Sequence, residues 1–211
     1  MLMASVLHIE ASPRSETSFS SRVARAFLEA YRQSHAGDWV DTMNVFTAAP
    51  PAFDAPAAEA KYAVMGGQRP TGEAGKKWLE VIETIDRFRE ADKLVLSVPM
   101  WNFGLPYRLK QYLDVIVQPG LTFKYDAGQY VGLVTGRPAL LILSRGSTYG
   151  AGSPAAAMDM QRPYLEMILR FIGFEDIRTL IVEPTVGGGP EAAQKALDAA
   201  CAEARKLATT F

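Results

Sequence analysis

Residues 9–27 read IEASPRSETSFSSRVARAF. An apolar run ends there and an amphipathic one begins. Between them stand six hydroxyl side chains, Ser12, Ser15, Thr17, Ser18, Ser20 and Ser21, and no glycine. Capping a helix needs one or two polar residues. The free N–H groups and positive dipole end at such a junction favour an anion, and hydroxyls add donors without burying a cation. Two readings stand. Either Ser18 or Ser20 caps the helix and the rest are solvated, or the cluster as a whole holds a phosphate. Arg14 is a phosphate partner on the second reading and a solvated loop residue on the first.

Two further segments have the composition of a binding site. PMWNFGLP (99–106) places Trp101, Asn102, Phe103 and Gly104 between prolines. Its aromatics suit the faces and edges of a planar heterocycle, and Asn102 with nearby N–H groups suits a polar ring edge. Alternatively, Trp101 and Phe103 only close the end of the core. SRGSTYG (144–150) offers the Ser144 hydroxyl and close backbone approach at Gly146, beside Tyr149.

Other chemistries fit poorly. No G-x-G-x-x-G follows the first apolar run, which disfavours a dinucleotide site, and in RPTGEAGKKW Pro70 stands where a Walker loop needs its first glycine. There is no G-x-S-x-G elbow. His8 reads as a satisfied strand residue, His35 as a solvated one, and the single cysteine, Cys201, as inert packing on an Ala-rich helix. Two histidines and one cysteine leave few soft metal ligands, so no metal site is expected. The carboxylates, scattered at helix spacing, read as solvated faces. With no protein nucleophile or catalytic residue to name, a cofactor must carry the chemistry.

The elements that position these loops alternate. Strand-like runs occupy 4–9, 39–45, 93–100, 137–144 and 176–183. Helical patterns occupy 20–34, 75–91, 106–117, 160–173 and 190–210. In 20–34, Val23, Phe27 and Tyr31 mark the inner face; in 75–91, Trp78, Leu79, Ile82, Ile85 and Phe88 do. The Ala/Pro/Gly-rich 47–75 reads as an excursion with a short helix near 57–65. Such alternation predicts one α/β domain over 1–211, a doubly wound five-stranded parallel sheet with helices on both faces. Ligands of these sheets lie at the strands' carboxyl ends, where all three loops fall, and a phosphate on the first loop makes the fold flavodoxin-like.

The chain has 211 residues, 48% of them hydrophobic, and a net charge of −1. This gives no reason to expect a nucleic-acid or membrane partner. The start lacks the basic stretch of a signal peptide, so a cytoplasmic protein is expected.

In PMWNFGLPYRLKQYLD, in PGLTFKYDAGQYVGLVTGRPALLILSRG, and in the spacing of Ser12, Ser18 and Ser20, the chain resembles the FMN-dependent NADH:quinone oxidoreductases, also known as azoreductases. Trp101 replaces the tyrosine usual in that family, and Ser147 its second glycine. The resemblance implies FMN held by Ser12 and by Ser18, Phe19 and Ser20 at the phosphate. Met100, Trp101, Asn102 and Phe103 would lie along the ring, and Ser144, Arg145, Gly146 and Ser147 at its far edge. It also implies a homodimer, NADH or NADPH as donor, quinones and azo compounds as acceptors, and ping-pong turnover. A hairpin-like excursion over 120–136 would bring Phe123 to the substrate pocket. The competing reading is a flavodoxin-type electron carrier, which such a near-neutral charge disfavours.

Overall fold

The computed structural model describes residues 3–211; the start of the chain, and so part of the signal-peptide reading, lies outside them. Five strands form one parallel sheet: β1 (Ser5–Glu10), β2 (Trp39–Asn44), β3 (Lys93–Pro99), β6 (Ala139–Ser144) and β7 (Ile177–Val182). Their order is β2-β1-β3-β6-β7, the flavodoxin-type arrangement, whose switch point lies between β1 and β3. Central strands covered on both faces must be apolar throughout, and LLIL of β6 is buried entirely.

Helices α1 (Phe19–Ser34) and α6 (Gly189–Ala208) cover one face, and α3 (Gly72–Glu90), α4 (Tyr107–Ile116) and α5 (Arg162–Ile172) the other. Val23, Phe27 and Tyr31 of α1 are buried as the spacing predicts. In α3 one expected residue is misplaced: Leu79 is 59% exposed, and Val81 is buried in its stead. Trp78, Val81, Ile85 and Phe88 recur at three- and four-residue steps, and Leu79 falls a third of a turn off that stripe. The excursion after β2 carries α2 (Ala55–Met65), whose N-cap Asp54 accepts the Ala57 N–H at 3.3 Å.

A second, two-stranded antiparallel sheet joins β4 (Phe123–Asp126) to β5 (Gln129–Gly132). This hairpin sits on α5 at close range. A Cβ on Gly132 would lie 2.3 Å from the Gly173 nitrogen, so only glycine allows the approach.

Candidate functional site

At the end of β1, the Ala11 N–H bonds to the Ser97 carbonyl of β3 at 2.9 Å. The chain then passes through buried Ser12 and a single 3₁₀ turn, Ser15–Thr17. Ser18 is the N-cap residue of α1, its carbonyl accepting from the Arg22 N–H at 2.9 Å. Its side chain does no capping. Instead the Ser18 hydroxyl lies 3.2 Å from that of Ser20, both buried. The first amides of α1, from Phe19 onward, therefore have neither an intrahelical acceptor nor a side-chain cap. No carboxylate occupies this first turn. Arg14 is exposed.

Asn44, at the end of β2, fastens this loop from behind. Its amide nitrogen lies 2.7 Å from Glu10 Oε2, 2.8 Å from the Ser12 carbonyl and 3.1 Å from Ser15 Oγ. Its carbonyl accepts the Phe46 N–H at 2.8 Å.

The second loop is tied to the third, the Met100 N–H donating to the Ser144 carbonyl at 2.8 Å. Trp101 and Gly104 then exchange both backbone hydrogen bonds, at 3.1 and 2.9 Å. They close a two-residue turn with Asn102 at φ +47° and Phe103 at φ +69°. Positive φ at both centres is the province of Asn-Gly. Asparagine tolerates it, but an aromatic residue there is strained. The Trp101 and Phe103 side chains part company: Trp101 is half-buried against Phe46, ring centroids 5.6 Å apart, while Phe103 is 47% exposed. Phe103 meets Tyr149 of the third loop edge-on at 6.3 Å. The Asn102 amide is exposed.

In the third loop, buried Ser144 precedes an arginine whose side chain turns inward. Arg145 is only 1% exposed. It pairs with Asp159 at 2.7 Å and Glu183 at 3.4 Å, and its Nε donates to Gln161 at 3.1 Å. Only its backbone faces the loop. The Gly146 carbonyl accepts from Val186 and Gly187 at 3.0 and 2.8 Å. A Cβ on Gly146 would meet nothing nearer than Val186 at 3.8 Å, so packing within the chain does not require glycine there. Ser147 is exposed.

The structure thus brings the three loops to one end of the sheet, around the β1–β3 switch point. Phe123 belongs to the hairpin, where its aromatic partners are Phe171, at 4.7 Å, and Tyr130, at 5.9 Å. Asn44, Asp159, Gln161 and Glu183 were not singled out in the sequence. Their one visible signal was a polar residue just beyond a strand or at the start of a helix.

His8 is buried, as expected of a strand residue, with Nε2 2.9 Å from Ser97 Oγ. Burial lowers its pKa to about 4. His35, expected to be solvated, is half-buried and stacks on Tyr31 with ring centroids 4.3 Å apart. Among the described residues, no group of three or more His, Cys, Asp or Glu side chains is placed to hold a metal ion. No helix of the described residues is long and apolar enough to cross a membrane.

Residues 4–208 match the family model described as the flavodoxin-like fold. The chain is 49% identical over 213 residues to an FMN-dependent NADH:quinone oxidoreductase of Nitratidesulfovibrio vulgaris, covering 99% of this chain and 100% of the relative. It is 41% identical to FMN-dependent NADH:quinone oxidoreductase 1 of Bradyrhizobium diazoefficiens, with the same coverage. Among solved structures, an azoreductase from Bacillus anthracis str. Sterne superimposes with a TM-score of 0.91 at 29% identity, over 99% of this chain and 100% of that one. An FMN-dependent NADH-azoreductase from Bacillus anthracis str. Ames Ancestor, solved in complex with FMN, gives 0.86 at 29% identity, over 98% and 100%. The chain belongs to the flavodoxin-like family and, within it, to the FMN-dependent NADH:quinone oxidoreductases.

Proposed function

We propose that the protein is an FMN-dependent NADH:quinone oxidoreductase that also cleaves azo compounds reductively, working as a homodimer by a ping-pong route. The observation that carries this reading is the head of α1, where paired serine hydroxyls meet uncapped amides and no carboxylate stands in the helix's first turn. That donor set fits a phosphate dianion. Gly146, which packing leaves unexplained, and the exposed turn at Asn102 and Phe103 fit a planar ring laid across the strand ends.

On this reading Ser12, Ser18, Phe19 and Ser20 hold the phosphate of FMN. Met100, Trp101, Asn102 and Phe103 line its ring, and Ser144, Gly146, Ser147 and the Arg145 backbone its far edge. When bound, FMN supplies two-electron exchange between a nicotinamide donor, NADH or NADPH, and a flat acceptor. The chain's own work is to orient. Asn102 presents an amide to a polar ring edge, Phe103 covers one side, and Trp101 fixes the turn against Phe46. The Met100–Ser144 bond holds the two ring-facing loops at a set spacing.

Around this end of the molecule Phe103, Tyr107, Met158, Met160 and Val186 are all exposed, an apolar rim of the kind that marks a protein interface. A second copy seated there would exclude water from the ring. The hairpin's exposed Tyr125 and Tyr130, with Phe123 beneath them, complete the substrate pocket on the same proposal. A cytoplasmic setting follows from the need for reduced nicotinamide, and the whole chain acts as one domain.

The test is spectroscopic and kinetic. The purified protein should carry FMN, lose its flavin absorbance with NADH anaerobically and regain it with benzoquinone. Double-reciprocal plots at several quinone concentrations should be parallel, since both substrates use one ring face. An FAD-loaded protein, or no bleaching with either nicotinamide, overturns the reading; intersecting lines overturn the ping-pong route. Slow turnover with soluble quinones would favour an electron carrier.

A further inference from the structure

The chain between β1 and α1 is stapled to both neighbouring strands. On one side the Ala11 N–H reaches the Ser97 carbonyl of β3 at 2.9 Å. On the other, three acceptors converge on one nitrogen, the side-chain amide of Asn44 in β2. We propose that Asn44 is a positioning residue for FMN. Its neutral amide holds the Ser12 carbonyl, the Ser15 hydroxyl and the Glu10 carboxylate on the β2 side, which leaves the loop's amides and remaining hydroxyls to meet the phosphate. The inference rests on the FMN reading of the site.

Electrostatics gives the reason. Anion sites in loops are built from backbone N–H groups turned inward, and a carbonyl or carboxylate oxygen left among them repels the anion. Ser12 is buried, so its carbonyl needs a donor, and Asn44 supplies one at 2.8 Å. Glu10 brings a full negative charge to the same corner. It receives the Asn44 N–H at 2.7 Å and the Ser15 O–H at 3.3 Å. Ser15 itself stands at φ +37°, left-handed backbone that a residue other than glycine keeps only where its surroundings enforce it. Its contacts with Asn44 and Glu10 do so. Asn44 is fixed in turn, because its oxygen accepts the Phe46 N–H at 2.8 Å.

Asn44→Asp isolates the donor. It keeps an oxygen for the Phe46 N–H and replaces the nitrogen alone. The new carboxylate stands against that of Glu10, and two carboxylates sharing a site hold a proton well above the ordinary range. Protonated, the new side chain again offers a donor; ionised, it offers none. The other charged or titratable groups around this corner are Arg14 and Glu16 of the loop, His8 of β1, and Arg25 and Arg32 of α1. Burial keeps His8 neutral above its pKa of about 4, and the arginines stay charged.

Titrating the full chain, freed of flavin, with FMN and following flavin fluorescence gives Kd for parent and variants. The ratio of variant to parent cancels the titration of the phosphate itself. For Asn44→Asp that ratio should be at least about tenfold at about pH 8 and shrink at least about threefold by about pH 5.5. Adding Glu10→Gln removes the second charge but returns no donor to the Ser12 carbonyl. The double variant should therefore recover melting temperature while binding FMN at least about tenfold more weakly than the parent at both pH values. Should the single variant unfold at the higher pH, the double variant's affinity decides. A ratio unchanged with pH, or parent-like affinity in the double variant, would overturn the role of Asn44 and leave the FMN reading standing. A parent that binds no FMN would overturn both.

Discussion

The Ser18 and Ser20 hydroxyls lie 3.2 Å apart at the head of α1, and the N-cap side chain bonds to none of the amides it could reach. Aspartate is itself a good N-cap, so Ser18→Asp should leave the apo-protein as stable as the parent or more so. A carboxylate about 4 Å from a phosphate, however, repels it by roughly 4 kcal/mol at an effective dielectric near 20. Even half of that weakens binding more than about tenfold. Thr71→Asp, at the N-cap of α3, is the control. The flavin-to-protein ratio after desalting decides. Equal retention by the two variants would reduce the serine pair to a structural role.

Backbone geometry dictates how the second loop should be probed. Asn102 sits at φ +47°, so alanine there would add strain to the loss of the amide. Asn102→Gly isolates the side chain. It should keep the melting temperature within a few degrees and lower flavin retention or turnover, as loss of a hydrogen bond worth about 1–3 kcal/mol would. Phe103→Gly should relieve strain of roughly 1 kcal/mol and yet impair activity. Parent-like turnover in both variants would leave the loop without a role at the ring.

Arg145 is the charge the third loop depends on. Replacing it with methionine strands Asp159 and Glu183 beside an apolar group, and breaking a buried pair this way costs about 3–5 kcal/mol. Urea unfolding of apo Arg145→Met should show that loss. Neutralising the partners as well, with Asp159→Asn and Glu183→Gln, should recover much of it. A loss under about 1 kcal/mol would mean that solvent already screens the cluster.

His8 gives the fold a pH dependence of known sign. Its folded pKa of about 4, set chiefly by burial against an opposing pull from Glu10, lies below the unfolded value of 6.5. Its contribution is complete above pH 6.5 and lost as pH falls towards 4, because only the unfolded chain takes up the proton in that window. The loss is on the order of 3 kcal/mol. Urea unfolding near pH 7 and near pH 4.5, in the parent and in His8→Val, measures it. The variant's stability should change less over this window; equal changes would show that other groups carry the dependence.

What the sequence made legible was periodic or local. The Val23–Phe27–Tyr31 stripe, the five apolar runs and the proline-bracketed second loop each announce themselves within a few residues. Leu79 was misread because any stripe admits neighbours a third of a turn away, and packing alone chose Val81. The supports of the site were hidden for another reason. Asn44 meets Ser12 across 32 residues and Arg145 meets Glu183 across 38. A buried arginine in a loop looks like a solvated one until its partners arrive. The turn strain at Phe103 is likewise a property of the folded backbone.

The parallel sheet also fixes when the site comes into being. His8 and Ser97, on neighbouring strands, are 89 residues apart, and among the described residues the only strands joined by a short turn are those of the hairpin outside the main sheet. Pairings so distant in the chain close late and slowly. The loops at the strand ends are therefore expected to face one another only after the central strands have met, with FMN no template for folding. It enters afterwards, stabilising the finished structure by mass action. Refolding of the denatured chain should thus run at one rate with or without FMN, while unfolding slows as FMN is added. A folding rate that rises with FMN concentration would mean the phosphate loop forms before the sheet does.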